Sequence, residues 1–190
     1  MKDSLLKIEK EVAACEKCQL CKTRTNTVPG CGSPQADIMF VGEGPGRNED
    51  LQGKPFVGAA GKVLDSLLES INLKREDVFI ANVVKCRPPM NRDPLPEEVS
   101  ACADFLARQV ALIQPKIIIL LGRHAMDRFL PGLKISLDHG RPKRKDGQVY
   151  FPIYHPAATI YQRSLLETLE KDFKKIPKII EIIEKEKDRS

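Results

Sequence analysis

Six cysteines in a chain of 190 residues, three of them crowded together at Cys15, Cys18 and Cys21, are the sharpest chemical signal. Thiolates two residues apart converge readily on a soft metal, and Cys86 and Cys102 further along could complete a four-sulfur site. The opening residues 1–9 mix charges into their apolar positions and lack a signal-peptide core. A cytoplasmic, reducing setting is therefore expected, and with it metal or catalytic roles for the thiols rather than disulfides. Four thiolates suit zinc or an iron–sulfur cluster. A zinc ribbon would show a second Cys-x2-Cys pair, so the spacing leans toward iron–sulfur. The plainer reading of Cys102 is a small buried hydrophobe on a helix.

Polar groups with chemical potential gather elsewhere too. Gly42-Glu43-Gly44-Pro45-Gly46 follows an apolar run directly. It is not a dinucleotide fingerprint, because Arg47 stands where a third glycine is needed and Pro45 removes an amide donor. It reads instead as a tight turn whose backbone approaches a ligand, with the Glu43 carboxylate inside it and Glu49-Asp50 at its edge. Phe56, alone between Gly53 and Gly58, is either a plug at a helix start or a stacking platform. Asn82 and His155 each end an apolar run.

The elements that must position these groups follow from periodicity. Near-continuous apolar runs at 37–42, 78–84, 116–122 and, more weakly, 149–154 predict strands buried on both faces. Helical spacing predicts helices over 3–14, 60–71, 95–113, 123–130 and 164–187, the last kinked or divided by Pro177. The expected fold is a three-layer α/β/α sandwich with a central four-stranded parallel sheet, one domain over residues 1–190. Asp146-Gly147 predicts a hairpin leading into the fourth strand. Ligands in such sheets bind beyond the C-terminal strand ends. Those ends carry the Gly42–Gly46 turn, Asn82 with Lys85-Cys86-Arg87 beyond it, Gly122-Arg123-His124, and His155. The formal charge of +5 and pI near 8.9 are compatible with a nucleic-acid partner without requiring one. No apolar run is long enough to span a bilayer.

Four segments, taken together and in order, resemble the motif blocks of family-4 uracil-DNA glycosylases. They are Gly42-Glu43-Gly44-Pro45-Gly46-Arg47-Asn48-Glu49-Asp50, then Gly53-Lys54-Pro55-Phe56-Val57-Gly58, then Asn82-Val83-Val84-Lys85-Cys86-Arg87-Pro88-Pro89-Met90-Asn91-Arg92, then His155-Pro156-Ala157-Ala158. The likeness runs from about Cys15 to about Phe173. It implies a base-excision repair enzyme that releases uracil from single- or double-stranded DNA, with a monomer as the default state. It also implies a [4Fe–4S] cluster held by Cys15, Cys18, Cys86 and Cys102, leaving Cys21 and Cys31 without a role.

The same resemblance assigns the site. Gly42 and Gly44 shape the pocket, Phe56 stacks on the flipped base, and Asn82 presents one donor and one acceptor to uracil N3–H and O4. Cytosine presents the reverse order and would leave those groups unpaired. His155 donates to uracil O2, Glu43 positions the attacking water, and Glu49 crowds the place of a thymine methyl. Arg87, Asn91 and Arg92 are expected at phosphates. Ala157 and Thr159 belong to a loop expected to enter the minor groove, with Ile160 or Tyr161 as wedge. Lys143-Arg144-Lys145 reads as a phosphate contact or a solvated turn. The rivals are a covalently trapping uracil-DNA-binding relative, which would need a histidine-bearing insertion absent from 87–94, and an iron–sulfur redox or sensing module.

Overall fold

Ser4 begins the first helix, its hydroxyl accepting the Lys7 N–H at 3.2 Å in an N-cap. The computed structural model describes residues 3–188. In chain order it comprises α1 (Leu5–Ala13), β1 (Cys31–Gly32), β2 (Ile38–Gly42), α2 (Arg47–Gln52), α3 (Ala59–Glu69), β3 (Phe79–Asn82), α4 (Pro96–Ile113), β4 (Ile117–Leu121) and α5 (Arg123–Phe129). There follow α6 (Ile135–Asp138), β5 (Lys143–Lys145), β6 (Gln148–Ile153), α7 (Ala158–Tyr161), α8 (Ser164–Phe173) and α9 (Ile176–Lys187).

The strands form one sheet in the order β1-β3-β2-β4-β6-β5. Its central four strands are parallel, as their continuous apolar runs predict. The sheet is wider than the predicted four strands: β1 and β5 add short antiparallel edges. A two-residue strand leaves no periodic signal. At β1 the decisive feature is Gly32, where a Cβ would lie 1.9 Å from the Val78 carbonyl oxygen. The β5–β6 hairpin turns through Asp146 (φ 49°) and Gly147 (φ 79°), the left-handed pair that a two-residue turn demands.

Alternation along the strands divides the core in two. Met39, Val41, Ile118 and Leu120 face one side, where α1, α4 and α5 supply Ile8, Val12, Phe105, Leu106 and Met126. Phe40, Ile119, Leu121 and Phe151 face the other, packed by Leu64 and Leu68 of α3, Phe173 of α8 and Ile176 of α9. The terminal helical stretch is divided, as Pro177 predicts, with the proline at the second residue of α9. Helix α2 lies outside the predicted elements. Its polar residues carry no apolar stripe, and tertiary contacts hold it: buried Asp50 accepts the Thr25 N–H at 2.9 Å and the Asn26 N–H at 3.3 Å.

A candidate active site at the strand ends

Parallel pairing sets Gly42 of β2 beside Asn82 of β3. A Cβ at position 42 would meet Asn82 Oδ1 at 2.5 Å and the Phe56 ring at 2.8 Å. The missing side chain is what lets an amide and an aromatic ring share one corner of a cavity of about 400 Å³. Glu43, Asn82, Asn91, His155 and Tyr161 also line this cavity. Gly44 serves similarly, since a Cβ there would sit 2.7 Å from Val84.

Phe56 holds a left-handed backbone, φ 54°, which a bulky residue adopts only when its surroundings impose it. Arg75 imposes it: the guanidinium donates to the Pro55 carbonyl at 3.0 Å and to the Phe56 carbonyl, while also pairing with Asp65. Glu49 fixes the other side, its Oε1 accepting the Val57 and Gly58 N–H groups at 2.9 and 2.8 Å. Glu49 thus lines the cavity but has half of its carboxylate committed to the loop that carries Phe56. The Phe56 ring stacks on His155, centroids 5.5 Å apart.

Gly61 in α3 is required by this arrangement, because a Cβ there would lie 1.8 Å from the Phe56 carbonyl oxygen. Alanine normally stabilises a helix interior over glycine by about 1 kcal/mol. Overpacking against backbone costs about 1–3 kcal/mol, so the clash should win. Gly61→Ala is expected to lower the melting temperature by several degrees and to weaken substrate binding more than turnover, as thermal melts and steady-state kinetics would show.

His155 follows β6 and is aimed by its own loop. The Ala157 N–H donates to His155 Nδ1 at 3.1 Å, so Nδ1 must be the unprotonated nitrogen and Nε2 the one bearing hydrogen. Burial pulls its pKa down to about 4, with His124 adding to the effect and Glu49 opposing it. The imidazole is therefore a neutral donor at ordinary pH. Gly122 (φ 83°) makes room, since a Cβ there would come within 2.9 Å of His155 Cβ.

Glu43 lies across the cavity. Burial raises its pKa, His124 lowers it, Asp93 raises it and Arg123 lowers it, in that order of weight. A carboxylate tuned upward is a better base near neutrality. His124 Nε2 stands 3.6 Å from Glu43 Oε2 and 3.2 Å from Asp93 Oδ1.

A model of the uracil DNA glycosylase superfamily matches residues 29–181, along the whole span that carries these groups. The chain belongs to this superfamily. It is 52% identical to a type-4 uracil-DNA glycosylase of Archaeoglobus fulgidus over 92% of both chains. It is 51% identical to that of Sulfurisphaera tokodaii over 92% of this chain and 84% of the relative. Against the Thermotoga maritima protein of the same name the identity is 44%, over 90% of this chain and 94% of the relative.

Cys15, Cys18, Cys86 and Cys102 all border the α1–α4 side of the core. Two backbone or guanidinium donors already point at sulfur: Arg24 to Cys86 at 3.3 Å and the Lys85 N–H to Cys102 at 3.4 Å. Burial pushes the Cys86 thiol up to about 11, and raises Cys18 and Cys102 as well, so burial favours the neutral thiols. Cys31 lies apart, on edge strand β1, with Arg75 and Lys54 as its charged neighbours.

Several surface expectations change. Arg92 gives both terminal nitrogens to Glu98, at 2.8 and 2.6 Å, and Glu98 is almost wholly buried. Its half-exposed guanidinium is paired with that buried carboxylate, which also accepts the Leu95 N–H at the start of α4. Thr159 is buried and donates its hydroxyl to the Pro156 carbonyl at 2.8 Å, which shapes the loop instead of facing outward. Ala157 orients His155 and borders the cavity. Arg87 is half-buried, its Nε donating to Asn91 Oδ1 at 2.7 Å. Tyr161 is 91% exposed beside Ile160 at the same rim. Each residue of the 143–145 run is engaged, Lys143 with Asp138, Arg144 with Glu186 and Lys145 with the Phe129 carbonyl. Among the described residues no helix is long and apolar enough to cross a membrane.

Sequence reasoning gave no site role to Arg75, Asp93 or Glu98, and placed Lys85 at a strand end without one. Lys85 is fully buried, donating to the Asn82 carbonyl at 2.9 Å and to Gln109 at 2.7 Å. A lone lysine following an apolar strand was the available signal for it.

Proposed function

We propose that this chain is a type-4 uracil-DNA glycosylase, hydrolysing the N-glycosidic bond of deoxyuridine in DNA to release uracil and leave an abasic site. The observation that carries this reading is the shared corner of one cavity: Asn82 and Phe56 meet over Gly42, with His155 stacked on Phe56 and Glu43 on the same lining.

A base stacked in a duplex is out of reach, so the nucleotide enters flipped or from a single strand. The Phe56 face takes the ring, a contact worth about 1–3 kcal/mol. The buried Asn82 amide reads N3–H and O4, and cytosine would leave both of its groups unpaired. As the C1′–N1 bond lengthens, negative charge gathers on uracil and positive charge on the sugar. His155 Nε2–H donates to O2 and stabilises the leaving anion without transferring its proton. Glu43 holds the water that attacks C1′ and offsets the sugar's charge. Arg87 meets a phosphate, and exposed Tyr161 or Ile160 fills the gap left by the flipped base.

Cys15, Cys18, Cys86 and Cys102 would hold a [4Fe–4S] cluster. All four thiols border the same side of the core, with the Arg24 guanidinium and the Lys85 N–H directed at two of the sulfurs, a donor set that suits an iron–sulfur core. When bound, the group supplies metal–sulfur bonds that fasten the N-terminal segment to the loop after β3 and to α4.

The test is incubation of the anaerobically purified protein with a single-stranded oligonucleotide bearing one uracil, beside a thymine control. Free uracil and an alkali-labile gap at that position alone are the expected result. No release from folded, iron-loaded protein would overturn the reading in favour of a binding or redox relative.

A further inference from the structure

Three polar atoms from three different segments meet beside Glu43: its own Oε2 from the turn after β2, His124 Nε2 from the start of α5, and Asp93 Oδ1 from the loop before α4. All lie within 4.8 Å of one another. His124 Nε2 is shielded from solvent and has no aligned hydrogen-bond partner among the described residues, though it stands only 3.2 Å from Asp93 and 3.6 Å from Glu43. Asp93 is held from behind, its Oδ2 paired with the Arg123 guanidinium, so Oδ1 is the oxygen presented to the group.

We propose that His124 and Asp93 complete the site of the attacking water, making it a three-point cradle rather than a single contact with Glu43. This rests on the glycosylase reading and deepens it. Three atoms at these separations can all lie about 2.8 Å from a single water oxygen. A divalent ion, needing donors at about 2.1 Å, would have to be drawn in beside the Arg123 guanidinium. Water, being neutral, is the better fit on charge.

The hydrogen bonding also works out. With two carboxylates in front of it, Nε2 is the nitrogen that carries hydrogen, and it donates to the water oxygen. The water donates one hydrogen to Glu43 Oε2 and the other to Asp93 Oδ1. Three of its four hydrogen-bonding directions are then used, and the remaining lone pair is the one that faces the sugar. In the reaction the C1′–N1 bond breaks with its electron pair leaving on uracil. The C1′–O bond forms from that lone pair, and the water proton passes to Glu43. Asp93 and His124 are positioning residues, acting through the water's orientation. The charged or titratable groups around Glu43 are His124, Asp93 and Arg123, with Glu49, Arg92 and His155 elsewhere on the cavity wall.

The test uses full-length, iron-loaded His124→Ala, His124→Gln, Asp93→Asn and Glu43→Gln in single-turnover reactions, with melting temperature and iron content read for each. His124→Ala and Asp93→Asn should lower the maximal rate about 10–100-fold while leaving DNA affinity near wild type. His124→Gln, which keeps a donor at similar reach, should recover part of that loss. Added methanol supplies a readout that a structural role would not move: the fraction of 1′-O-methyl sugar product should rise in His124→Ala, where the cradle is opened to the larger nucleophile. Unchanged rates and unchanged methanol partition in both variants, with Glu43→Gln impaired, would overturn the cradle and leave Glu43 as the sole water ligand. A fully active Glu43→Gln would overturn the placement of the water at Glu43, and the cradle with it.

Discussion

His155→Ala should slow uracil release by about 10²–10³-fold in single-turnover reactions, with DNA binding changed far less. The asymmetry follows from when the contact matters. Uracil O2 carries little charge in the bound substrate and much more as the glycosidic bond breaks, so a donor aimed at it acts mainly in the transition state. The loop has already fixed the donor: an Ala157 N–H pointing into Nδ1 leaves hydrogen on Nε2 alone. No energy is spent choosing a tautomer during the reaction. Because the pKa is held down to about 4, His155 stays neutral through neutrality and contributes no step to the pH–rate profile there. The acid limb should instead follow Glu43, above the ordinary 4.5 because burial disfavours its charge. The linkage to stability has a definite sign. An unfolded histidine takes up its proton near pH 6.5, whereas the folded one resists to about 4. Folding stability contributed by this group is therefore intact above 6.5 and falls as the pH drops toward 4. His155→Ala should flatten that part of the stability–pH curve, measurable by denaturant titration. A rate loss below tenfold would mean that another group holds the leaving anion.

The second large effect is expected at Cys86. Cys86→Ala should release iron, bleach the visible absorbance of the purified protein, and destabilise it by more than about 4 kcal/mol. Two features make this position more costly than a single lost ligand. The Arg24 guanidinium that touches Cys86 Sγ also holds the Cys15 carbonyl at 2.8 Å and the Ala13 carbonyl at 3.1 Å, so the sulfur is a node for the whole N-terminal segment. Cys86 also follows Lys85, whose ammonium is bonded to the Asn82 carbonyl. Loosening here should reach the residue that reads the base, and surviving protein should discriminate uracil from cytosine less well. Cys31→Ala provides the contrast. Its thiol belongs to edge strand β1, and its replacement should leave iron content unchanged. Cys21→Ala decides the ligand set. Cys21 sits in a short turn next to Cys18, and retained iron is the expected outcome. Iron lost from Cys21→Ala but kept in Cys102→Ala would show that the contiguous 15, 18, 21 triplet does the binding.

Much of this architecture is legible in the amino-acid chain itself. Strands sealed on both faces have no solvent side to mark, so β2 and β4 appear as unbroken apolar runs and are recognisable as such. The Asp146-Gly147 hairpin and the break at Pro177 follow from backbone constraints that belong to single residues. Parallel strands then place their C-terminal ends together, which is why Glu43, Asn82, His124 and His155 could be assigned to one edge of the sheet. The motif blocks supplied the expected pocket residues by resemblance, and Glu43, Gly44, Glu49, Phe56, Asn82 and His155 do line one cavity.

What the tertiary structure decided is which polar groups are free. Arg92 and Arg87 look alike in sequence and are both half-buried, yet Arg92 is paired with the buried Glu98 carboxylate and Arg87 with the Asn91 amide. Thr159 reads as a loop hydroxyl and is in fact buried against Pro156. Phe56 reads as either plug or platform, and only the Arg75 clamp and the hole at Gly61 turn its ring into the cavity. The meeting of Glu43, Asp93 and His124 has no sequence signature, because their separations along the chain are unrelated to their separations in space. Period and turn chemistry are properties of neighbouring residues and survive in the sequence. Hydrogen-bond partnership between distant side chains depends on packing geometry, and emerges only when the sheet and its two helical layers have closed around it.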